Sequence, residues 1–167
     1  VDTSWGDQGT GSIFGWTDYN GSELDLHDNG KCGTFATDGT HVLDMGGTPD
    51  NVHVYQDIPG AVSGETYSLT LDAGDVTGGG NSVEIYWGGE LIATIDPVEG
   101  GMESFQFDLI GGAGDGANRL EFKEIGPIDP DGVQLDNIQL IGPDGNAASQ
   151  DTSGDVIDGG AGDDTLD

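Results

Sequence analysis

Acidic side chains concentrate in four glycine-rich segments of the chain, and metal binding is the chemistry that such segments offer. Ca²⁺ prefers hard oxygen ligands, about six to eight of them, from carboxylates, amide oxygens, backbone carbonyls and water. The densest segment, EIGPIDPDGVQLDN at 124–137, carries Glu124, Asp129, Asp131 and Asp136. A proline separates two of its aspartates and stiffens the loop, which reduces the entropy lost when an ion binds. We therefore predict a calcium site in segment 124–137.

The other three acidic segments extend this prediction. Asp28, in segment 26–39 (LHDNGKCGTFATDG), and Asp44, within HVLDM, are further candidate calcium ligands. An ion with open coordination positions at a loop tip can also bind the vicinal hydroxyls of a sugar or a carboxylate. Asp, Asn and Gly equally favour turns that hold no metal, which is the simpler interpretation of each segment. The candidate ligand-binding residues, from segments 46–53 and 72–82, are Asp50, Asn51, Asp72 and Asp75.

The C-terminal sequence GGAGDDTLD, residues 159–167, has the form of one calcium-binding nonapeptide, G-G-x-G-x-D-x-U-x, in which U is a large apolar residue. Asp164 is the aspartate of this unit, and Asp155 stands nine residues before it. We predict that residues 155–167 begin a calcium-binding β-roll after a linker at 143–154; a disordered tail is the alternative. A stable roll needs about three or more units, so we expect this one to be frayed and the roll to be truncated.

Composition restricts the possible partners. The 167 residues include 3 Lys and Arg but 32 Asp and Glu, which gives a formal net charge of -29. Such a surface repels phosphate groups, so we expect neither nucleic acid nor an anionic membrane as a partner. No apolar run approaches the roughly 20 residues of a membrane-spanning helix, so we expect no membrane insertion. Mutual repulsion predicts a monomer for the isolated domain, and several bound Ca²⁺ ions are its simplest relief.

The remaining reactive side chains form no catalytic or zinc-binding motif. Cys32 is the only cysteine, which excludes an internal disulfide, and we expect it to have no functional role. The spacing of His27, His41 and His53 matches no zinc site.

Aromatic side chains offer flat faces on which sugar rings can stack. Tyr19, in TDYNGSE, is expected in a loop, and we predict that it binds ligand. Tyr86 and Trp87 are neighbours on a predicted strand, so one is expected in the core and the other on the outside. Core packing is the alternative for every aromatic residue considered. The other aromatic candidates are Trp5, Trp16 and Tyr55.

Strands, rather than helices, must position these residues. Apolar and polar residues alternate with a period of two, and clusters of Gly, Pro, Asp and Asn separate the alternating stretches. Gly88-Gly89, between two apolar stretches, predicts a tight hairpin turn. About ten short strands at this spacing predict an all-β, antiparallel β-sandwich of the jelly-roll type. The predicted strands are 41–45, 52–58, 67–73, 82–87, 91–95, 104–110, 119–125 and 133–141, with weaker candidates at 12–17 and 23–26.

The order of these segments resembles that of a known family. After GWT at 15–17 come HVLDMGG, VYQDIPGAVSGETYSLTLDAG, NSVEIYWGGELIATIDP, SFQFDLIGGAGDGANRLEFKEIG and GVQLDNIQLI. This order is similar to the jelly-roll, carbohydrate-binding-module-like domains of large secreted bacterial RTX adhesins. The resemblance covers about residues 12–142, and VEIYWGGELIATI and LDNIQLI are its most specific parts. We accordingly assign residues 1–142 to one sandwich module.

The resemblance implies a binding module rather than an enzyme. Modules of this superfamily typically hold a structural Ca²⁺ through the aspartate of the closing LDN strand, which implies Asp136 as a ligand here. In RTX adhesins, domains placed just before the nonapeptide roll contact a host, another microbe or a surface. The resemblance therefore implies a calcium-dependent adhesion module, secreted or displayed on a bacterial cell surface. It implies a glycan or an exposed peptide C-terminus as the partner, bound through loop-held Ca²⁺.

Two other functions are weighed against this one. A jelly-roll glycoside hydrolase or lyase would need paired carboxylates about 5–10 Å apart, one of them with a raised pKa in a partly apolar pocket. The acids here stand mostly in open glycine-rich turns, which suits metal binding better. A calcium-stiffened structural spacer would normally recur as a tandem repeat, and residues 1–142 contain no internal repeat.

Overall fold

A computed structural model describes residues 6–7, 12–13, 15–22, 24–30, 33–47, 49–76 and 78–148, with the backbone alone at 6–7 and 12–13. These residues form strands joined by short turns. The strands are β1 Gly6–Asp7, β2 Ser12–Ile13, β3 Trp16–Asp18, β4 Asp25–Asp28, β5 His41–Asp44, β6 His53–Asp57, β7 Thr66–Gly74, β8 Ser82–Trp87, β9 Glu90–Ile95, β10 Glu103–Ile110, β11 Arg119–Ile125 and β12 Gln134–Ile141.

The strands make two six-stranded sheets that pack face to face. The first sheet has the order β1-β4-β5-β12-β7-β10, and the second has the order β2-β3-β6-β11-β8-β9. Neighbouring strands within each sheet run antiparallel. From β9 onward the chain changes sheet at every connection, as β10, β11 and β12 fall alternately in the first and the second sheet. The predicted all-β, antiparallel jelly-roll sandwich is therefore confirmed.

Alternation along the central strands builds the core between the sheets. In β8, Val83, Ile85 and Trp87 are buried, while the residues between them are half-buried on the outer side. β6 and β11 show the same pattern. Trp16 and Phe122 pack with their ring centroids 5.3 Å apart, joining β3 to β11. Each large apolar side chain that is fully buried in this way contributes about 1.5–3 kcal/mol to folding.

The turn between β8 and β9 has the conformation that its sequence predicts. Gly88 and Gly89 adopt φ angles of 56° and 84°, and both positive values fall where a type I′ turn requires them. Other residues rarely adopt two positive φ angles in succession, so the glycine pair allows the hairpin to close. On the strand before the turn, Trp87 lies in the core and Tyr86 faces outward, as the alternation predicts.

The strand boundaries match the predictions closely where one side of a strand is buried. Segments 82–87 and 119–125 coincide with β8 and β11. The weak segment 12–17 divides into β2 and β3, which pair with each other, and β1 has no counterpart among the predicted strands.

Several predictions concern residues outside the described ranges and stay predictions. They are the roles of Trp5 and Cys32, the linker beyond residue 148, and the β-roll at 155–167 with Asp155 and Asp164. Residues 142–148 turn back on β12, with Ala147 bridging Ile141. Within the described ranges, no helix has the length and apolar character needed to cross a membrane.

Candidate functional site

The outer side of the second sheet carries a row of side chains that crosses five strands. Strand register places Thr17 beside Tyr55, Tyr55 beside Glu121, Glu121 beside Tyr86, and Tyr86 beside Leu91. Tyr55 and Tyr86 are two strands apart, which corresponds to about 10 Å at the usual spacing of strands. Both tyrosines are half-buried. We call this surface the tyrosine face; it comprises Thr17, His53, Tyr55, Asp57, Glu84, Tyr86, Arg119, Glu121 and Lys123.

Arg119 fixes one end of the tyrosine face. Its Nε donates a 2.8 Å hydrogen bond to Oδ1 of Asp57, and one of its terminal nitrogens donates a second 2.8 Å bond to Oδ2. Its guanidinium carbon lies 4.0 Å from the ring centroid of Tyr55, so the same group also stacks on the tyrosine. The hydrogen bonds from Arg119 lower the pKa of Asp57 and, reciprocally, raise the pKa of Arg119. The Tyr55 ring is thus held flat against a fixed cation.

Glu84 organises the other end of the tyrosine face. The Tyr86 hydroxyl donates a 2.7 Å hydrogen bond to Glu84 Oε2, and Lys123 Nζ lies 3.4 Å from the same oxygen. The bond from Tyr86 lowers the pKa of Glu84 and raises the pKa of Tyr86, because it favours the ionised carboxylate and the protonated hydroxyl. Between the two ends, His53 Nε2 lies 2.9 Å from Glu121 Oε2. The polar groups of the face therefore hold one another in place.

Tyr19 extends the tyrosine face at its edge. The loop that carries it is fixed by a 2.7 Å bond from its backbone N–H to the carbonyl of His53. Its ring stacks on His53 at 4.4 Å and meets Tyr55 edge-on at 5.8 Å. The ring is 57% exposed, so the aromatic predicted to bind ligand stands free for contact beside two others.

Two open hollows flank Arg119 on the tyrosine face. One is lined by Gly15, Thr17, Tyr55, Asp57 and Pro59. The other is lined by Gly88, Gly89, Asp115, Gly116, Ala117, Arg119 and Glu121. Arg119 and Lys123, which both lie on the tyrosine face, are two of the three Lys and Arg residues in the chain.

The acids of segment 124–137 are divided between two places. Asp136 lies on the first sheet opposite Asp72 of β7. Its Oδ2 accepts hydrogen bonds from the backbone N–H groups of Thr37 at 2.6 Å and Asp38 at 2.9 Å. Burial alone would raise the pKa of Asp72, but hydrogen bonds from Ser104, Thr37 and Asn137 together lower it. Donors of the protein thus stabilise this Asp72–Asp136 pair, and the calcium role that the resemblance implies for Asp136 stays a prediction.

Glu124 turns the other way, into the end of the sandwich. It is 3% exposed and has as neighbours Asp44 at the end of β5, Asp75 just after β7 and Val133 just before β12. Burial, and then the neighbouring Asp44, raise the pKa of Glu124 to about 8, although the Val133 amide opposes this shift. Asp44 is fully buried, and burial raises its pKa to about 7 despite hydrogen bonds from Gly46 and Gly132. We call Asp44, Asp75 and Glu124, together with Asn81, the buried acid cluster.

Two of the remaining predicted site residues, Asp129 and Asp131, lie close enough to Glu124 and Asp44 to raise the pKa of those carboxyls, and the others are dispersed. Asp28 is exposed and lies 3.0 Å from His41, while Asp50 and Asn51 belong to a surface loop. Asp72 and Asp75 are 6% and 1% exposed, and the ligand-binding role predicted for them stays a prediction. Over the described part of the chain, no three His, Cys, Asp or Glu side chains converge as a ready metal-ligand group.

Sequence reasoning considered Tyr55 and Tyr86 as aromatic candidates but missed the charged residues of the tyrosine face. Arg119, Glu121 and Lys123 were placed on a predicted strand but assigned no role. The signal was present, because a period of two in 119–125 puts these three side chains on the side opposite to Leu120 and Phe122. What the sequence could not show is which strands lie beside β11.

Comparison with known proteins identifies the fold. No protein-family model matches the chain. A curated relative, the multifunctional-autoprocessing repeats-in-toxin of Vibrio cholerae serotype O1, is 31% identical over 93 residues, which is 54% of this chain. The chain covers only 2% of the length of that protein.

Two solved structures have similar folds. The CBM22-1 xylan-binding domain from Paenibacillus barcinonensis Xyn10C superposes with a TM-score of 0.54 and 15% identity, covering 83% of this chain and 90% of that one. The K2 cleaved adhesin domain of Lys-gingipain superposes with a TM-score of 0.50 and 14% identity, covering 80% of this chain and 92% of that one. At these identities the likeness shows the fold alone, a jelly roll of the carbohydrate-binding-module type.

Proposed function

We propose that this domain is a non-catalytic module that binds an extended, neutral glycan along the tyrosine face. The observation that carries the proposal is the row of Tyr55, Glu121 and Tyr86 across adjacent strands. Two flat rings about 10 Å apart suit sugar rings two residues apart in an extended chain, which stack their C–H faces on aromatic side chains. Glu121, between the rings, can accept hydrogen bonds from sugar hydroxyls.

The charges of the face favour a neutral ligand. Arg119 and Lys123 already pair with Asp57 and Glu84, so neither offers a free positive charge. The formal net charge of -29 repels acidic sugars and peptide carboxylates before they reach the surface. A peptide C-terminus would need an exposed bound cation, and the tyrosine face does not require one.

The comparisons support this proposal without deciding it. One structural neighbour is named as xylan-binding and the other as an adhesin domain. The curated relative is a repeats-in-toxin protein, which agrees with the nonapeptide at 159–167. On these grounds we propose that the domain belongs to a secreted or surface-displayed RTX protein, in which it contributes adhesion.

The carboxylates of the face are poorly suited to catalysis. A glycosidase acid needs a raised pKa so that it carries a proton near neutral pH. On the tyrosine face the pKa values of Asp57 and Glu84 are lowered by their partners. The raised pKa values belong to Asp44 and Glu124, which are buried away from any substrate. Binding without turnover is therefore the function that we propose.

The test is glycan binding by the wild type and by single variants of the face. An array of neutral and acidic glycans, with xylo-oligosaccharides among them, would be followed by calorimetry on the best ligand. We expect Tyr55→Ala and Tyr86→Ala each to weaken binding at least about tenfold, as loss of a stacked anchor typically does. Phe35→Ala is the matched control, because Phe35 is 64% exposed but lies outside the face.

Two outcomes would contradict the proposal. Full affinity in both tyrosine variants would place the ligand elsewhere. Binding of peptides with free but not amidated C-termini, abolished by chelation, would replace the glycan by a carboxylate held through an ion. Release of sugar fragments during the assay would restore the enzyme interpretation.

A further inference from the structure

The end of the sandwich contains three buried acceptor oxygens that no side-chain donor of the described residues reaches, and the Val133 amide is the backbone donor directed at Glu124. The three oxygens are Oε1 and Oε2 of Glu124 and Oδ1 of Asn81. Glu124 is 3% exposed and Asn81 is fully buried. A buried acceptor without a donor is destabilising, and a buried carboxylate without a counter-charge much more so.

Strand register brings these oxygens to the same place. Ile125 of β11 pairs with Ser82 of β8, so Glu124 and Asn81 both point inward from adjacent strands. Asn81 uses its amide nitrogen for other contacts: Nδ2 lies 3.1 Å from the Asp131 carbonyl and 3.4 Å from Asp75 Oδ1. Its backbone N–H donates to Asp75 Oδ2 at 3.1 Å. These bonds fix the side chain and leave Oδ1 as its unsatisfied atom.

Gly132 connects Glu124 to a second carboxylate. A Cβ at this glycine would overlap Glu124 Oε2 and the backbone N of Gly46. The Gly132 and Gly46 amides donate to Asp44 Oδ1 at 3.0 and 3.1 Å. Glu124 and Asp44 therefore meet on either side of one glycine, where no side chain separates them.

Basic side chains of the described residues do not neutralise Glu124. Arg119 and Lys123 point outward from the same strand and pair with Asp57 and Glu84. His27 Nε2 lies 3.3 Å from Asp44 Oδ2, so this histidine faces Asp44. Two carboxylates thus approach each other at a point where the described part of the chain provides at most one titratable positive group.

We propose that a Ca²⁺ ion binds at this end of the sandwich, with Glu124, Asp44 and the amide oxygen of Asn81 as its side-chain ligands. All three offer hard oxygen, the donor type that Ca²⁺ selects. Two carboxylates are fewer than a complete side-chain site needs, and backbone carbonyls and water make up the rest of the shell. The site ties the ends of β5, β8 and β11 together, and it does not depend on glycan binding.

The test is calcium titration of the full 167-residue chain after removal of divalent ions. Calorimetry with CaCl₂ would compare the wild type with Glu124→Gln, which keeps the shape and removes the charge. We expect Glu124→Gln to lose one ion, or at least about tenfold in affinity for it, since even indirect partners of a ligand contribute that much. Asp108→Asn, an exposed acid on β10, is the control and should leave the titration unchanged.

Thermal unfolding distinguishes the proposed calcium site from the alternative, in which Glu124 is protonated and no metal binds. With the ion, calcium raises the melting temperature of the wild type and not that of Glu124→Gln. In EDTA the variant should melt at or above the wild type, because it lacks a carboxyl group whose burial is unfavourable. Should Glu124→Gln fail to fold, Asp44→Asn must show the same loss of one ion. Equal titrations and equal calcium shifts in the wild type and the folded variants would overturn the proposal.

Discussion

The tyrosine face and the buried acid cluster place carboxylates in opposite electrostatic situations. On the face, Asp57 and Glu84 accept hydrogen bonds from Arg119 and Tyr86, and their pKa values are lowered. In the cluster, Glu124 has no comparable partner, and burial raises its pKa to about 8. The two acids Glu84 and Glu124 lie on neighbouring strands of one sheet, so it is the side of the sheet that decides between the two situations.

This difference assigns different partners to the two regions. The face pairs both of its Lys and Arg side chains with carboxylates, so a ligand that brings no charge meets an organised surface. The cluster buries carboxyl groups with little counter-charge, and this is the basis of the calcium site that we propose. We therefore expect glycan binding to respond to changes on the face, and calcium binding to respond to changes in the cluster.

The largest expected effect is the pH dependence of stability in EDTA. In the unfolded chain Glu124 and Asp44 have their ordinary pKa values of 4.5 and 3.8. Burial in the folded protein raises the pKa of Glu124 to about 8 and the pKa of Asp44 to about 7. The stability that they contribute is complete in acid and is lost as the pH rises through that interval. For Glu124 the loss corresponds to up to about 5 kcal/mol. Urea unfolding across this interval measures it.

Glu124→Gln isolates this effect from the general repulsion in an acidic chain. The variant should lose less stability than the wild type as the pH rises, and saturating calcium should remove the difference in slope. Asp57→Asn should change the pH dependence in the opposite direction. The pKa of Asp57 is lowered from 3.8 in the folded protein, so ionised Asp57 stabilises the fold above that pH and this contribution is lost on acidification. Parallel curves for the wild type and Glu124→Gln would show that burial does not perturb this carboxylate.

Gly132→Ala should give the next largest effect. The added Cβ would overlap Glu124 Oε2 and the backbone of Gly46, and the backbone cannot rotate away as a side chain can. Overpacking of this kind costs about 1–3 kcal/mol. We expect lower stability and weaker calcium binding, with unchanged glycan affinity at a temperature where the variant is folded.

Gly101→Ala is the matched control for Gly132→Ala. A Cβ there would meet only the Val98 side chain at 3.6 Å, an ordinary contact, so we expect little change or a small gain. Chemical denaturation and calcium calorimetry of both variants make the comparison. Equal stability in the two variants would mean that the chain around Gly132 has room that the structure does not show.

The sequence predicted the strands better than the sites, and β11 shows why. The alternation in RLEFKEI locates this strand and also places Leu120, Phe122 and Glu124 on its inner side. An acid in the third inward position was itself a signal of a buried carboxylate. Interpreting Glu124 as part of an acidic loop obscured that signal, because loop composition and strand periodicity overlap at this residue.

Other features depend on which strands become neighbours. Asp72 and Asp136 are 64 positions apart in the chain, and only the pairing of β7 with β12 brings them together. The tyrosine face likewise requires β6 and β8 to flank β11. Periodicity assigns each side chain to one side of its own strand, but the order of strands in a sheet is a property of the folded chain.

The smallest expected effect on stability, and a specific one on binding, comes from Arg119→Lys. Lysine keeps the positive charge but cannot make the paired bonds to Asp57 or stack flat on Tyr55. Because these contacts are partly exposed, we expect a stability loss of about 1 kcal/mol or less. Glycan affinity should fall more clearly, because the Tyr55 ring loses the group that holds it in place. Calorimetry and urea unfolding on one preparation give both values.

The reciprocal exchange, Lys123→Arg, tests whether position or charge matters. Lys123 makes one 3.4 Å contact with Glu84 and stacks on no ring within the described structure, so arginine there should change neither stability nor glycan affinity appreciably. If Lys123→Arg weakens glycan binding while Arg119→Lys does not, the ligand contacts the Tyr86 end of the face and the stacked Arg119 is only structural. If neither exchange changes glycan affinity, the tyrosines bind the sugar without help from Arg119 and Lys123. The ion pairs of the face then contribute to its stability and not to glycan binding.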